Sequence, residues 1–194
     1  MGRALFLVVP SSAGKTSLGH ALLNVLPDPY LFVEVDQWAL HWPLDRPEFA
    51  TLAHQDRLDR GAALALRGYL DAGVDLIVEW GLWHARARVM AARVFAPYDA
   101  WLIGLRWDLE TLETREAART DGILAGTARG QATRRGVWEL PCDLELDAVH
   151  EAPDRLAERV TTWLSTAPEP RAIRSLAASQ VTVPGSVDQP RVAL

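Results

Sequence analysis

The chain has 194 residues, 49% of them hydrophobic and 23% charged, which is enough for one domain with a sizeable core. Its net charge of −5 and pI near 5.5 argue against a nucleic-acid-binding surface, and no apolar run approaches the length of a membrane span. The single cysteine, Cys142, rules out an internal disulfide and a cysteine-based metal cluster.

Strand-like and helix-like runs alternate, the pattern of an α/β fold with a mostly parallel sheet covered on both faces. The first strand is expected at Leu5–Val9, nearly all apolar and therefore central. The run is too short for the apolar core of a signal peptide, so the expected compartment is the cytoplasm. A helix covers Ser17–Leu26, and Pro27-Asp28-Pro29 ends it. Tyr30–Val35 is the second strand, with Asp36 at its end. A proline-bearing loop from Trp38 to Pro47 leads into a long helix from about Phe49 to Ala72, which Gly73 stops. The third strand is Asp75–Glu79, followed by a helix over Trp83–Phe95. The fourth is Ala100–Trp107.

Asp108 is placed to cap a helix reaching about Ala118. Residues 119–135 are rich in Arg, Gly and Thr, as expected of a lid, which is drawn at about 115–136. Leu144–Leu146 is the fifth strand and Pro153–Leu164 the closing amphipathic helix. The domain is therefore expected at residues 1–165, with 166–194 as a loosely packed, flexible tail rich in Pro, Ala, Ser and Gly.

The chemistry centres on Pro10-Ser11-Ser12-Ala13-Gly14-Lys15-Thr16, between the first strand and the first helix. This is the phosphate-loop pattern G-x-x-x-x-G-K-[ST] with Val9 in place of its first glycine. Backbone N–H groups from Ser11, Ser12, Ala13, Gly14, Lys15, Thr16 and Ser17 would gather around an anion at a helix N-terminus. Lys15 would reach the β- and γ-phosphates of ATP, and the Thr16 hydroxyl would ligate Mg²⁺. Lys15 is the only lysine among 20 basic residues; every other is arginine. One compact ammonium has been kept where a planar guanidinium would not serve.

Ligands of open parallel sheets bind beyond the carboxyl ends of the strands. Asp36 stands there as a candidate general base for a hydroxyl acceptor, with a helix cap as the rival role. Glu79, after the apolar D-L-I-V, has the shape of the second nucleotide motif and would hold Mg²⁺ or contact the acceptor. Trp38, Trp42, Trp80 and Trp83 cluster behind these acids. They would suit a ring-bearing acceptor or serve as ordinary core. Arg115, Arg119, Arg129, Arg134 and Arg135 surround the lid, where arginines stabilise a transferring phosphoryl group. The five histidines show no metal spacing.

With these residues in place, residues 4–165 resemble the chloramphenicol phosphotransferase family of small phosphate-loop kinases. The family loop G-G-S-S-A-G-K-[ST] is V-P-S-S-A-G-K-T here, and its strand-end Asp falls on Asp36 in V-D-Q-W. The family lid R-E-x-A-R-x-D-R falls on Arg115, Glu116, Ala118, Arg119 and Asp121, with Gly122 in place of the last arginine; either a neighbour such as Arg129 would then replace it or the lid would work differently. The late D-x-E-x-D falls on Asp143, Glu145 and Asp147. The resemblance implies a three-layer kinase fold with a five-stranded sheet. It implies ATP and Mg²⁺ as cofactors, Asp36 as base, and Lys15 and Arg119 in catalysis, with Arg115 also at the nucleotide. The acceptor would be a small hydroxylated molecule such as an antibiotic, met by Asp36, Trp38, Glu79, Trp80 and Trp83. Homo-oligomerisation is left open.

The rivals are a shikimate-kinase-like or nucleotide kinase, a zeta-toxin-like kinase of nucleotide sugars, and a nucleotide-binding regulator without turnover. A GTPase is disfavoured because the guanine motif N-K-x-D needs a second lysine.

Overall fold

The structure, a computed structural model, describes residues 1–8, 10–41, 46, 51–82, 85–118, 126–133 and 140–179, the side chains of residues 39 and 40 excepted. Five parallel strands form one sheet in the order β2-β3-β1-β4-β5. They are β1 (Ala4–Leu7), β2 (Tyr30–Glu34), β3 (Asp75–Glu79), β4 (Ala100–Arg106) and β5 (Leu144–Asp147). β1 is central and wholly buried, as its unbroken apolar run requires.

Side chains alternate across the sheet and divide the core in two. Ala4 and Phe6 face α3 (Leu52–Asp71), α4 (Ala85–Phe95) and α8 (Ala172–Ser179). Leu5 and Leu7 face α1 (Lys15–Val25) and α7 (Pro153–Leu164). α5 (Leu109–Ala117) and α6 (Thr127–Ala132) add Leu112, Ala128 and Ala132 to that second layer. β1 and β2 both pair with β3 in register, Leu7 opposite Glu79 and Glu34 opposite Glu79. The chain segments leaving all three strands therefore gather at the carboxyl end of the sheet.

Two expectations need correction. Asp36 does not end a strand: it lies in the first turn of α2 (Val35–Leu40), which starts where β2 stops. Trp38, expected in the loop that follows, belongs to the same helix. The tail is not loose from residue 166 onward. Ala172 and Ile173 are buried against the sheet, and α8 packs on α4 and β4.

The Asp143 carboxylate explains why α8 forms. It accepts hydrogen bonds from the backbone N–H groups of Arg171 (2.7 Å) and Ala172 (2.9 Å), donors a helix start leaves without partners. Its other oxygen accepts from Leu102 N–H (2.9 Å), anchoring the cap to β4. Residues 180–194 lie outside the described ones. If α8 is part of the core, Ile173→Ala should cost about 2–5 kcal/mol in denaturant unfolding. A cost below about 0.5 kcal/mol, the range of surface substitutions, would return the segment to the tail.

Candidate active site

The loop between β1 and α1 alternates its backbone hand. Ser12 (φ 65°) and Gly14 (φ 96°, ψ 19°) are both left-handed, and Gly14 is the N-cap of α1. Left-handed residues set among right-handed ones turn successive N–H groups into a concave, anion-binding nest. Ala13 is fully buried beneath the loop, Ser17 is exposed, and Val9 lies outside the described residues. Pro10 has no N–H to contribute, but its carbonyl accepts from the Lys15 ammonium at 3.3 Å.

Lys15 is 5% exposed, so its charge needs partners. They come from two other chain segments. Glu79 Oε1 lies 3.5 Å and Asp36 Oδ2 lies 4.0 Å from Nζ. Glu79 Oε2 accepts from the Thr16 hydroxyl at 2.7 Å. Asp36 Oδ1 accepts from Gly81 N–H at 3.1 Å, which fixes the carboxylate and leaves Oδ2 facing the ammonium. Desolvation raises the Asp36 pKa above the ordinary range; Lys15 and the Gly81 N–H oppose the rise, while Glu79 and Asp59 add to it.

Asp59 was not anticipated. It is buried on α3, and Oδ1 accepts from Gln55 Nε2 at 3.2 Å. The sequence did carry a signal: Asp59 shares the helical stripe of Ala62, Ala63, Leu66 and Leu70, where an acid is out of place.

Thr16 Oγ1 and Glu79 Oε2 are hard oxygen donors within contact of each other, the kind Mg²⁺ takes. Among the described residues, no group of three or more His, Cys, Asp or Glu side chains could hold a metal ion. A cation here would therefore draw further ligands from water and phosphate, as Mg²⁺ does beside nucleotides.

On the loop's other flank, Arg115 Nη2 donates to Ala148 O at 3.0 Å, just past β5. Its Nη1 is 3.9 Å from where a Cβ on Gly14 would stand, so the guanidinium overhangs the loop. Glu116, in the lid motif, is not aimed at the loop. Its buried carboxylate accepts from Gly126 N–H (2.8 Å) and Ala128 N–H (2.7 Å), fastening α6 to α5. Arg129, the neighbour named for the missing lid arginine, forms a two-pronged pair with Glu113, at 2.5 and 3.0 Å. Arg119, Arg134 and Arg135 lie outside the described residues.

The family model for chloramphenicol phosphotransferase-like proteins matches residues 2–165. The chain belongs to that family. A curated relative from Mycobacterium tuberculosis, provisionally named an O-phosphotransferase, is 29% identical over 90% of this chain and 88% of its own. A sugar kinase from a Janibacter species superposes with a TM-score of 0.66 at 21% identity, covering 91% of this chain and 99% of its own. The Mycobacterium tuberculosis APS kinase, solved with AMPPNP and APS, gives 0.60 at 18% identity over 84% of this chain and 98% of its own. These neighbours establish a phosphate-loop kinase fold, and the family match makes the chain a phosphotransferase-family protein.

The tryptophans part company in this family member. Trp80 is 3% exposed and packed in the core beside Val78 and Leu82, where little of its ring is open to an acceptor. Trp38 is 41% exposed on α2, beside Asp36. Trp42 and Trp83 lie outside the described residues. The D-x-E-x-D acids are also accounted for away from the loop. Asp143 caps α8, Glu145 pairs with Arg106, and Asp147 accepts from Val149 N–H at 3.0 Å. Cys142 is a half-buried thiol whose pKa is pushed up to about 12 by desolvation, which makes it a poor nucleophile.

The raised Asp36 pKa has a consequence for stability. Its proton binds more tightly in the folded than in the unfolded chain, so ionisation at neutral pH works against folding. That penalty is relieved as the pH falls from the raised value toward the ordinary carboxylate range. Asp36→Asn should therefore melt at or above the parent temperature at pH 7, an advantage that shrinks on acidification. A clear drop in melting temperature at pH 7 would make the Lys15–Asp36 pairing net stabilising instead.

Proposed function

We propose that this protein transfers the γ-phosphoryl group of ATP, bound with Mg²⁺, to a hydroxyl of a small molecule. An antibiotic is the acceptor class that the family's name suggests. The observation that carries the reading is the fixing of Asp36, one oxygen on the Gly81 N–H and the other 4.0 Å from the phosphate-loop lysine.

In this reading the loop N–H groups from Ser12 onward and the start of α1 receive the β- and γ-phosphates, the Ser11 N–H being engaged by Gln131, and Lys15 stays on Pro10 O while exchanging its carboxylate partners for phosphate oxygens. Thr16 and Glu79 would hold Mg²⁺, whose charge neutralises phosphate oxygens. Arg115 adds a guanidinium beside the loop, and Arg119, four residues further on in the sequence, is assigned the same work. The acceptor enters past α2, with the half-exposed Trp38 at its mouth. Asp36 orients its hydroxyl and takes the proton as the new O–Pγ bond forms. The bond from Pγ to the β-phosphate oxygen breaks, and ADP leaves. The raised pKa makes Asp36 a stronger base than an ordinary aspartate.

The test combines a screen with two variants. Antibiotics, sugars, shikimate and nucleotide sugars are incubated with ATP·Mg²⁺, and mass spectrometry reads the gain of one phosphoryl group. An antibiotic should be modified preferentially; a sugar or shikimate would redirect the acceptor assignment. With the acceptor known, Asp36→Asn should lose on the order of 10²–10⁴ in rate while keeping ATP affinity. The parent's kcat/KM should fall on acidification through a pKa above that of ordinary aspartate. Should Asp36→Asn weaken ATP·Mg²⁺ binding while Glu79→Gln alone abolishes transfer, the two acids have each other's roles.

A further inference from the structure

The peptide joining Pro10 to Ser11 is gripped on both edges. Its carbonyl accepts from the Lys15 ammonium at 3.3 Å, and its N–H donates to Gln131 Oε1 at 2.6 Å. A trans peptide carries these two groups on opposite edges of one plane, and the chain has no cis peptide among its described residues. The N–H engaged by Gln131 therefore points away from the lysine, toward the outside of the loop.

Gln131 sits in the last turn of α6, whose start is fastened by the buried Glu116 carboxylate. Fixed at its start by Glu116, the helix places Gln131 against the loop across 120 residues of sequence. Because the Ser11 nitrogen can only donate, the amide oxygen must face it, and acceptor capacity is all the position needs. Pro10 cannot donate, and Ser12 holds a left-handed backbone without being glycine (φ 65°).

We propose that Gln131 is a positioning residue for Lys15, acting through the Pro10–Ser11 peptide: it holds that plane with the carbonyl inward, so the ammonium rests where the phosphates arrive. The lid helix and the phosphate lysine are thereby coupled through a single peptide unit. This rests on the nucleotide-loop reading above.

Three variants test it: Gln131→Glu, which keeps an acceptor oxygen, Gln131→Leu, which keeps the bulk without one, and Gln131→Ala. ATP·Mg²⁺ affinity is read by calorimetry and Ser11 amide exchange by NMR, with melting curves as the folding control. The Leu and Ala variants should bind ATP about fivefold to tenfold more weakly and exchange the Ser11 amide faster, while Glu stays near the parent in both. Leu equal to the parent would overturn the proposal by showing that packing suffices. Glu weaker than Leu would also overturn it, since a carboxylate is harmful only if the side chain faces the phosphates. A parent that binds no ATP would instead remove the nucleotide-loop reading, and the proposal with it.

Discussion

The structure depends on one buried ammonium. Lys15 is almost out of reach of water, and an isolated charge there would be prohibitively costly. Its partners, Glu79 and Asp36, leave adjacent strands, so the compensation exists only when β1, β3 and β2 lie side by side in register. One cation against two carboxylates leaves the cluster with a net charge of −1. Desolvation is the main cause of the raised Asp36 pKa, with Glu79 adding to it and Lys15 opposing it, and the surplus of negative charge would suit a divalent cation. It also explains why a highly charged nucleotide would need both Mg²⁺ and a guanidinium such as Arg115 to settle there. Phosphate oxygens and the two carboxylates would compete for the same ammonium, so in the proposed reading binding is an exchange of partners.

Around this cluster the fold divides its work. The side of the sheet facing α3, α4 and α8 is mostly packing, and a buried acid there, Asp59, acts on the site at a distance through Asp36. The side facing α1 and α7 carries the loop. There α5 and α6 bring Arg115 and Gln131 to it from distant sequence. Two acids that fall in the family's lid and late motifs are fasteners, Glu116 for α6 and Asp143 for α8.

Much of this was legible in the sequence. β3 and α7 fall on the expected residues because an apolar run after Gly73 and a Pro-led amphipathic segment leave little alternative. Asp108 caps α5 through Thr111 N–H as expected of an Asp before a helical stripe. The loop lysine and its two acids could be named because each follows an apolar strand. Other features depended on tertiary contacts. α8 is eight residues long with only Ala172 and Ile173 buried, and its cap comes from Asp143, about thirty residues earlier in the chain. Asp36 shifted from strand to helix because a Val-Asp-Gln-Trp run supports either. Trp80 was read by chemistry alone, and apolar area decided its fate. Gln131 had no local signal at all, since its partner is a backbone N–H that no side-chain pattern reveals.

The central claim is that a compact ammonium at position 15 organises both the acids and the phosphates. Its most direct test is Lys15→Arg, which preserves the charge that Glu79 and Asp36 need while replacing a point charge with a planar fork. Folding should survive, by melting curve and circular dichroism. ATP-dependent phosphoryl transfer to the acceptor should fall by about a hundredfold or more, because the guanidinium cannot take the ammonium's place among Pro10 O and the phosphates. Transfer within a few-fold of the parent would contradict the account.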